Sequence, residues 1–265
     1  MRIALLALAL LAGCGSAVAE AVFLDNLIWN SSDAGFGGIS GIEVAHDGAS
    51  CVTISDRAYL RHGTIMRANG RITGVAINQT TRLRRTNGNE MKSRNNDAEG
   101  LAIAADGTMF VSFEGPARIL AYDTDNSAAI RLPDHPDFPN LQSNSALESL
   151  AIAPSGTLYA LPERSGRTSR PFPVYRYANG GWDIAFSMPR RGRFLPVGLD
   201  FGPDGNLYLL ERDFAGVGFR SRVRRFGPDG GAEQTLLQTR TGQFDNLEGI
   251  SVWRDRRGGL RLTMV

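Results

Sequence analysis

Short runs of alternating apolar and polar residues recur along the whole chain, and turns that contain glycine separate them. One example is the run at residues 99–104, the dipeptide Asp106-Gly107 and the returning run at residues 108–113. An Asp-Gly or Ser-Gly dipeptide between two such runs is typical of a tight β-hairpin. Because no stretch keeps a 3.6-residue period, the pattern favours an all-β chain over a helical solenoid.

The same hairpin occurs five times along the chain, and a period of about 50 residues is typical of propellers and solenoids. Each copy has a small residue at the start of its first strand: Gly41, Gly100, Ser149, Gly198 and Gly249. Further strands are predicted at residues 118–122, 174–177, 182–186, 222–226 and 234–237. Four antiparallel strands per repeat form a propeller blade. The sequence therefore predicts a β-propeller of four-stranded blades, with the first strand of each blade nearest the axis.

The number of blades depends on how the two ends of the chain are interpreted. Residues 21–29 are predicted as an extra strand before the first copy, and the fifth copy stops at Val265, after its second strand. We therefore expect an incomplete last blade in a C-terminally truncated chain, with residues 21–29 beside that blade. Five blades are favoured, and six are the alternative.

The first 19 residues have the features of an export signal. Met1 and Arg2 precede an apolar run at residues 3–12, which is too short to span a bilayer but fits the core of a signal peptide. Two processing patterns overlap: Ala17-Val18-Ala19 before Glu20, and a lipobox at residues 11–14 with Cys14 as the lipidated residue. We expect residues 20–265 to be one domain in the bacterial periplasm or outside the cell, lipid-anchored if Cys14 is modified.

The composition narrows the expected partners. The formal charge is +2 and the pI is near 8.7, without the basic stripe of a nucleic-acid-binding protein. Arginine supplies most of the positive charge, so we expect a monomer whose partner is a small anionic molecule and not a nucleic acid. Cys51 is the one cysteine after the leader, which excludes an internal disulfide.

Carboxylates recur at two fixed places in the hairpin. One set immediately precedes the small residue and comprises Glu99, Glu148 and Glu248. The second set closes the returning strand and comprises Asp56, Glu114, Glu163 and Glu211. Because the start of one antiparallel strand lies beside the end of the next, both sets are predicted at one mouth of the channel. Their mutual repulsion indicates a bound cation, and oxygen-only ligands suit Ca²⁺ better than Mg²⁺ or Mn²⁺.

Arginines follow three of these acids, at Arg57, Arg164 and Arg212. They are candidates for catalytic groups because a guanidinium binds phosphate or carboxylate through two parallel hydrogen bonds. In the alternative interpretation, the arginines form a ring of ion pairs that balances the acids. Likewise, the glutamates before the small residues can accept backbone N–H bonds from a neighbouring blade instead of binding metal.

Four stretches resemble one family: Asn-Asp-Ala-Glu-Gly-Leu-Ala at 96–102, Leu-Glu-Ser-Leu-Ala at 147–151, Pro-Val-Gly-Leu-Asp at 196–200 and Asn-Leu-Glu-Gly-Ile-Ser at 246–251. In their order they resemble the esterase-like phytases, exported bacterial proteins with a phytase-like domain. The resemblance covers essentially the whole chain after the leader. It implies hydrolysis of phosphate or carboxylic esters and, by similarity to propeller phytases, Ca²⁺. Family members usually continue past the position of Val265 with an acidic segment and a final strand.

Three functional hypotheses remain open. The chain lacks a Gly-x-Ser-x-Gly motif, which argues against a serine esterase. The leading hypothesis is a Ca²⁺-dependent phosphate-ester hydrolase in which Glu99, Glu148 and Glu248 are the first-choice ligands. Glu114, Glu163, Glu211 and Asp56 come second, and the three arginines would stabilise negative charge on oxygen. The alternatives are a propeller lactonase or sugar-acid hydrolase, and a non-enzymatic binding or scaffold propeller.

Overall fold

Antiparallel sheets make up nearly all of the regular structure. A computed structural model describes residues 20–33, 35–92 and 96–265, so the predicted signal peptide and Cys14 lie outside the described residues. The described part has four four-stranded sheets, one two-stranded sheet and a short 3₁₀ helix at Phe138–Asn140. It contains no helix that is long and apolar enough to cross a bilayer.

Each of the four larger sheets is one blade, and its strands follow chain order. Blade 1 contains β1 (Ile39–Val44), β2 (Ser50–Ser55), β3 (Tyr59–Ala68) and β4 (Arg71–Arg82). Blade 2 contains β5 (Ala98–Ile103), β6 (Met109–Phe113), β7 (Arg118–Tyr122) and β8 (Ile130–Arg131). Blade 3 contains β9 (Leu147–Ile152), β10 (Leu158–Pro162), β11 (Phe172–Ala178) and β12 (Gly181–Met188). Blade 4 contains β13 (Leu195–Phe201), β14 (Leu207–Phe214), β15 (Phe219–Phe226) and β16 (Gln234–Gln238). The two-stranded sheet contains β17 (Ile250–Arg254) and β18 (Leu260–Met264).

The structure confirms an all-β propeller with four-stranded blades. The repeated small residues lie in or immediately before the first strand of each sheet, and the Asp-Gly and Ser-Gly turns connect first and second strands. The predicted third and fourth strands are present as β7, β11, β12, β15 and β16. The count of five blades is not confirmed, because the sheet after blade 4 has only two strands.

Apolar clusters fill the gaps between neighbouring sheets. Blades 1 and 2 share a cluster that includes Leu60 and Val111, and the next clusters join blade 2 to blade 3 and blade 3 to blade 4. Two further clusters join the two-stranded sheet to blade 4 and, through Trp253 and Val44, to blade 1. Each fully buried aliphatic or aromatic side chain contributes about 1.5–3 kcal/mol to folding. The core is therefore a ring of inter-blade layers.

The predicted strand at residues 21–29 is wrong, because the described residues 20–33 form no strand. The Ala21 N–H donates to the Leu236 carbonyl on β16 at 2.9 Å, and the Ile72 N–H on β4 donates to Asp25 at 2.8 Å. The segment thus bonds to the outer strands of blades 4 and 1 instead of pairing with β18. It still lies beside the two-stranded sheet, since Ala21 packs in the same cluster as Leu262.

Polar side chains bridge neighbouring sheets two residues after the repeated small residue. Asp200 accepts the Val252 N–H at 2.6 Å, and Ser251 accepts the Val44 N–H at 2.9 Å. Glu43 accepts a backbone N–H bond from Ile103 of blade 2. Blades 2 and 3 have Ala102 and Ala151 at this position. Three of the five repeats therefore bond to the next sheet through the side chain at this position.

The inner strands also approach very closely at the small residues. A Cβ atom on Gly100 would lie 2.7 Å from Leu150 Cβ and 2.9 Å from the Leu150 backbone nitrogen. A Cβ atom on Gly198 would lie 2.6 Å from the Glu248 carbonyl oxygen. Neither partner is the mobile end of a side chain, so glycine is required there.

Replacing Gly100 by Ala should therefore lower the free energy of unfolding by about 2 kcal/mol, a usual cost of overpacking. Gly181→Ala is the matched control, since a Cβ atom there would meet no atom within 4 Å. Urea unfolding followed by circular dichroism measures both. Equal stabilities of the two variants would contradict the close approach.

The Asp200 bridge should make stability depend on pH. Burial raises the pKa of Asp200 from 3.8 to about 7 and also raises the pKa of nearby Glu43. The folded state therefore holds a proton that the unfolded state releases, and stability falls as the pH rises from about 4 to about 7. One such proton corresponds to a slope of about 1.4 kcal/mol per pH unit.

Asp200→Asn keeps an oxygen acceptor for the Val252 N–H. This substitution should remove most of the pH dependence of the unfolding free energy that one proton contributes. Unfolding is measured between pH 4 and 7 by urea titration, after metal ions are removed. The control is Asp106→Asn, because Asp106 is exposed and its pKa is lowered. An unchanged slope in Asp200→Asn would show that Asp200 does not take up this proton.

Candidate metal centre at the channel mouth

A β-bulge lies at the same place in each repeat. In the four blades the small residue and the residue before it together oppose one residue of the second strand. The two-stranded sheet has the same feature, since the Glu248 and Gly249 N–H groups both donate to the Val265 carbonyl, at 2.7 and 3.1 Å. Bulges redirect side chains and are frequent beside functional sites. Here the bulged position carries Glu99, Glu148 and Glu248.

These glutamates belong to a group of seven residues that we call the mouth cluster, and it draws on three blades and the two-stranded sheet. Asp97, Glu99 and Glu114 each offer a carboxylate oxygen, and these atoms lie within 4.8 Å of one another. Glu114 hydrogen-bonds to Glu148 and accepts the Ala146 N–H at 2.9 Å. The members are Asp97, Glu99, Glu114, Glu148, Glu163, Arg212 and Glu248.

Arg212 supplies the positive charge of the mouth cluster. Its Nη2 lies 3.2 Å from Glu163 Oε1, and its Nη1 contacts Glu248 Oε1. Nη1 also donates to Asn246 Oδ1 at 3.0 Å, and the Asn246 amide donates to Glu248 at 2.6 Å. About four-fifths of the Arg212 side chain is buried. The side chains of Glu163, Asn246 and Glu248 therefore fix the position of the Arg212 guanidinium.

One guanidinium does not balance six carboxylates. Burial, together with the charges of Asp97, Glu114 and Glu248, raises the pKa of Glu99 to about 9. Burial and the nearby glutamates raise the pKa of Glu148 well above its usual range. The pKa values of Glu114 and Asp97 are raised as well, mainly by burial. Without metal, Glu99 therefore holds a proton at neutral pH, and a cation can replace that proton.

The donor set fits a hard divalent cation. All candidate ligand atoms in the mouth cluster are carboxylate oxygens, with no histidine or cysteine among them. Such oxygen ligands bind Ca²⁺, Mg²⁺ and Mn²⁺ in preference to softer metals. The carboxylates of Asp97, Glu99 and Glu114 could therefore bind a metal ion.

The structure does not bring Glu211 to the mouth cluster. Glu211 is fully buried in blade 4, where it accepts from Arg222 Nε at 2.8 Å and Arg224 Nη2 at 2.6 Å. Arg212, the next residue along β14, points to the opposite face because side chains alternate along a strand. The prediction that Glu211 lies with the other carboxylates at the mouth of the channel is therefore wrong.

The correct position could have been found by counting from the turn. Glu114 follows Gly107 by seven residues, and Glu163 follows Gly156 by the same interval. The residue seven positions after Gly205 is Arg212. An arginine thus replaces the carboxylate of blade 4, and the sequence contained that signal.

Asp56 and the other two arginines lie around the mouth cluster. Asp56 is close enough to raise the pKa of Asp97, and Arg57 contacts Asp56 at 3.6 Å with more than half of its side chain exposed. Arg164 is also half-exposed and lies 3.3 Å from Glu163. The three candidate arginines therefore differ, and Arg212 is the one held among the glutamates.

Sequence reasoning missed Asp97 and Asn246 as site residues. Each stands two positions before a glutamate of the mouth cluster, Glu99 or Glu248. The signal was the repeated Asp/Asn-x-Glu-Gly pattern at residues 97–100 and 246–249. Asp97 adds a carboxylate oxygen close to Glu99, and the Asn246 amide donates a hydrogen bond to Glu248.

Several solved structures are similar to this chain at low sequence identity. A gluconolactonase from Xanthomonas campestris is 16% identical, with 85% of this chain and 68% of that chain aligned and a TM-score of 0.48. Virginiamycin B lyase from Staphylococcus aureus is 13% identical, with coverages of 85% and 69% and a TM-score of 0.44. A chain of the nidogen/laminin complex is 13% identical, with coverages of 76% and 68% and a TM-score of 0.47.

Comparison with curated proteins finds no match. The family described as "Phytase-like: Esterase-like activity of phytase" matches residues 34–265, which include every residue of the mouth cluster. The chain therefore belongs to the phytase-like family.

Proposed function

We propose that this protein is a metal-dependent hydrolase of phosphate esters and that the reaction takes place at the mouth cluster. The supporting observation is the group of buried carboxylates whose charge Arg212 alone does not balance. Asp200 and Ser251 bridge neighbouring sheets from outside the mouth cluster, so bonding between sheets does not by itself require this concentration of carboxylates. Family membership supports a hydrolase.

Asp97, Glu99 and Glu114 would hold the cation, and Glu148 adjoins them through its hydrogen bond to Glu114. We propose Ca²⁺, which accepts six to eight oxygen ligands in flexible geometry. A bound divalent cation supplies a Lewis acid for a phosphoryl oxygen and lowers the pKa of a bound water. These carboxylates are preorganised for that role by the bulges at Glu99 and Glu148.

Arg212 would stabilise the negative charge that develops on the phosphoryl oxygens. Glu163 and Glu248 hold its guanidinium in place, so little reorganisation is needed when charge develops. Arg164 would approach the substrate from the side, since it is half-exposed next to Glu163. Arg57 pairs with Asp56 at the edge of the site and would attract the anion.

The proposed place of action is outside the cytoplasm. The proposal is based on the signal-like sequence of residues 1–19, including the alternative lipidated residue Cys14. Expression of the whole chain in a bacterial host, followed by fractionation and mass determination of the N-terminus, distinguishes the two processing sites. An unprocessed cytoplasmic product would contradict export.

Glu99→Gln should abolish stabilisation by calcium, because it removes a proposed ligand charge. For a ligand that binds only the folded state, a concentration of 100 times the Kd raises stability by about 2.7 kcal/mol. Glu211→Gln is the matched control and should lose stability equally with and without Ca²⁺, since it breaks a buried ion pair in blade 4. Thermal unfolding at several Ca²⁺ concentrations measures both variants. An intact calcium response in Glu99→Gln would refute the proposed site.

Arg212→Gln should lower kcat for p-nitrophenyl phosphate by about 10²–10³, the usual effect of removing a preorganised charge-stabilising donor. The control, Arg71→Gln, lies on the exposed outer strand β4 and should retain the parent rate. Assays with p-nitrophenyl acetate and δ-gluconolactone, each with and without Ca²⁺, test the other substrate classes. Calcium-dependent turnover of the lactone alone would replace the phosphatase proposal, and no turnover of any ester would leave a binding protein.

A further inference from the structure

A cavity of about 390 Å³ opens beside the mouth cluster. Its walls come from the loop at residues 163–171, which follows β10, and from the segment at residues 137–142, which precedes β9. Arg164 lines this cavity and also contacts Glu163 of the mouth cluster at 3.3 Å. The cavity therefore lies next to the proposed metal centre, and Arg164 lines the cavity while it contacts Glu163 of the mouth cluster.

The cavity has an excess of positive charge. Arg164 and Arg170 both line it, and no ion pair to a carboxylate is found for Arg170 among the described residues. Arg190 lies directly behind them, and its pKa is lowered by burial and by the charge of Arg164. Among the described residues that line the cavity, Asp137 is the only carboxylate, and it already accepts the Tyr175 hydroxyl at 3.2 Å. An anion would therefore be attracted into this space.

Internal hydrogen bonds hold the loop in shape. The buried Ser165 hydroxyl donates to the Arg170 carbonyl at 2.7 Å. Arg190 donates to the same carbonyl at 3.5 Å and to Ser165 Oγ at 3.4 Å, and its guanidinium stacks 4.3 Å from the Phe172 ring. Pro171 and Pro173 stiffen the return into β11. The site is thus largely formed before any ligand arrives.

The remaining polar groups suit a hydroxylated molecule. Asn140 and Gln142 contribute amides to the lining, and Ser187 contributes a hydroxyl. Amides and hydroxyls both donate and accept hydrogen bonds, so they match the hydroxyl groups of a polyol or sugar acid. Leu141 and Ile184 supply apolar surface.

We propose that this cavity binds an oxyanion group, carboxylate or phosphate, of a hydroxylated substrate, at a distance from the ester bond that the mouth cluster hydrolyses. Arg164 and Arg170 bind the oxyanion, and the amides bind the hydroxyl groups beside it. The role in hydrolysis rests on the proposed function, whereas binding of the anion does not require a metal. The two statements can therefore fail separately.

The direct test is binding to protein freed of metal ions with a chelating resin, so that no soluble chelator competes. Isothermal titration with inorganic phosphate and with gluconate should show one site, and Arg170→Gln should weaken binding about tenfold, since it removes a charge-assisted hydrogen bond to the anion. Arg167→Gln is the matched control, because Arg167 lies in the same exposed loop but does not line the cavity. Tighter phosphate binding would identify a phosphate subsite, and tighter gluconate binding a carboxylate subsite.

Equal affinities of the parent, Arg170→Gln and Arg167→Gln, or no binding of either anion, would overturn the cavity proposal. If the protein proves to be a hydrolase, Arg170→Gln should raise KM for an ester with a second anionic group and leave kcat unchanged. The KM for p-nitrophenyl phosphate, which has no second anionic group, should stay the same. Anion binding without any hydrolysis would leave the cavity in place and reject the proposed function.

Discussion

Close approach of the inner strands is the constraint on which the rest of this structure depends. Gly100 and Gly198 allow the backbone of one sheet to reach that of the next, where a Cβ atom would lie under 3 Å from neighbouring atoms. That approach lets side chains such as Asp200 and Ser251 bond to backbone N–H groups of the next sheet. The apolar layers between the sheets can then close into a ring.

The same geometry concentrates charge. A bulge precedes each small residue, so the side chain at that position leaves the regular alternation of the strand. Glu99, Glu148 and Glu248 meet at one end of the inner strands, although their blades are separate in sequence. Desolvation and repulsion act on the same carboxyl groups and are relieved only in part by Arg212. Folding therefore produces a site that favours cation binding.

The sequence was sufficient to predict the features that recur in each repeat, but it was insufficient at positions that depart from the repeat. Hairpins, turn positions and the glutamates Glu99, Glu148 and Glu248 followed from a pattern that recurs with fixed spacing. Glu211 was misplaced because its neighbour Arg212 occupies the position that carries an acid in other blades. The segment at residues 21–29 was predicted as a strand, but it bonds to blade 4 through the Ala21 N–H and to blade 1 through the Asp25 side chain. The cavity around Arg170 is lined by the β10–β11 connection, which is longer than the corresponding connection in each of the other three blades, so no periodic signal could indicate it.

The bulge also separates the chemistry of the mouth from the stability of the ring. Ser40 and Val197 occupy the bulged position in blades 1 and 4, where the other sheets carry glutamate. Close backbone contacts between neighbouring sheets occur at the small residue, and Asp200 bonds to the next sheet two positions beyond it. Each bulged position can therefore change its side chain while the neighbouring backbone keeps its contacts. The five repeats thus carry different side chains on one repeated backbone geometry, so a new ligand preference can arise there without a new fold.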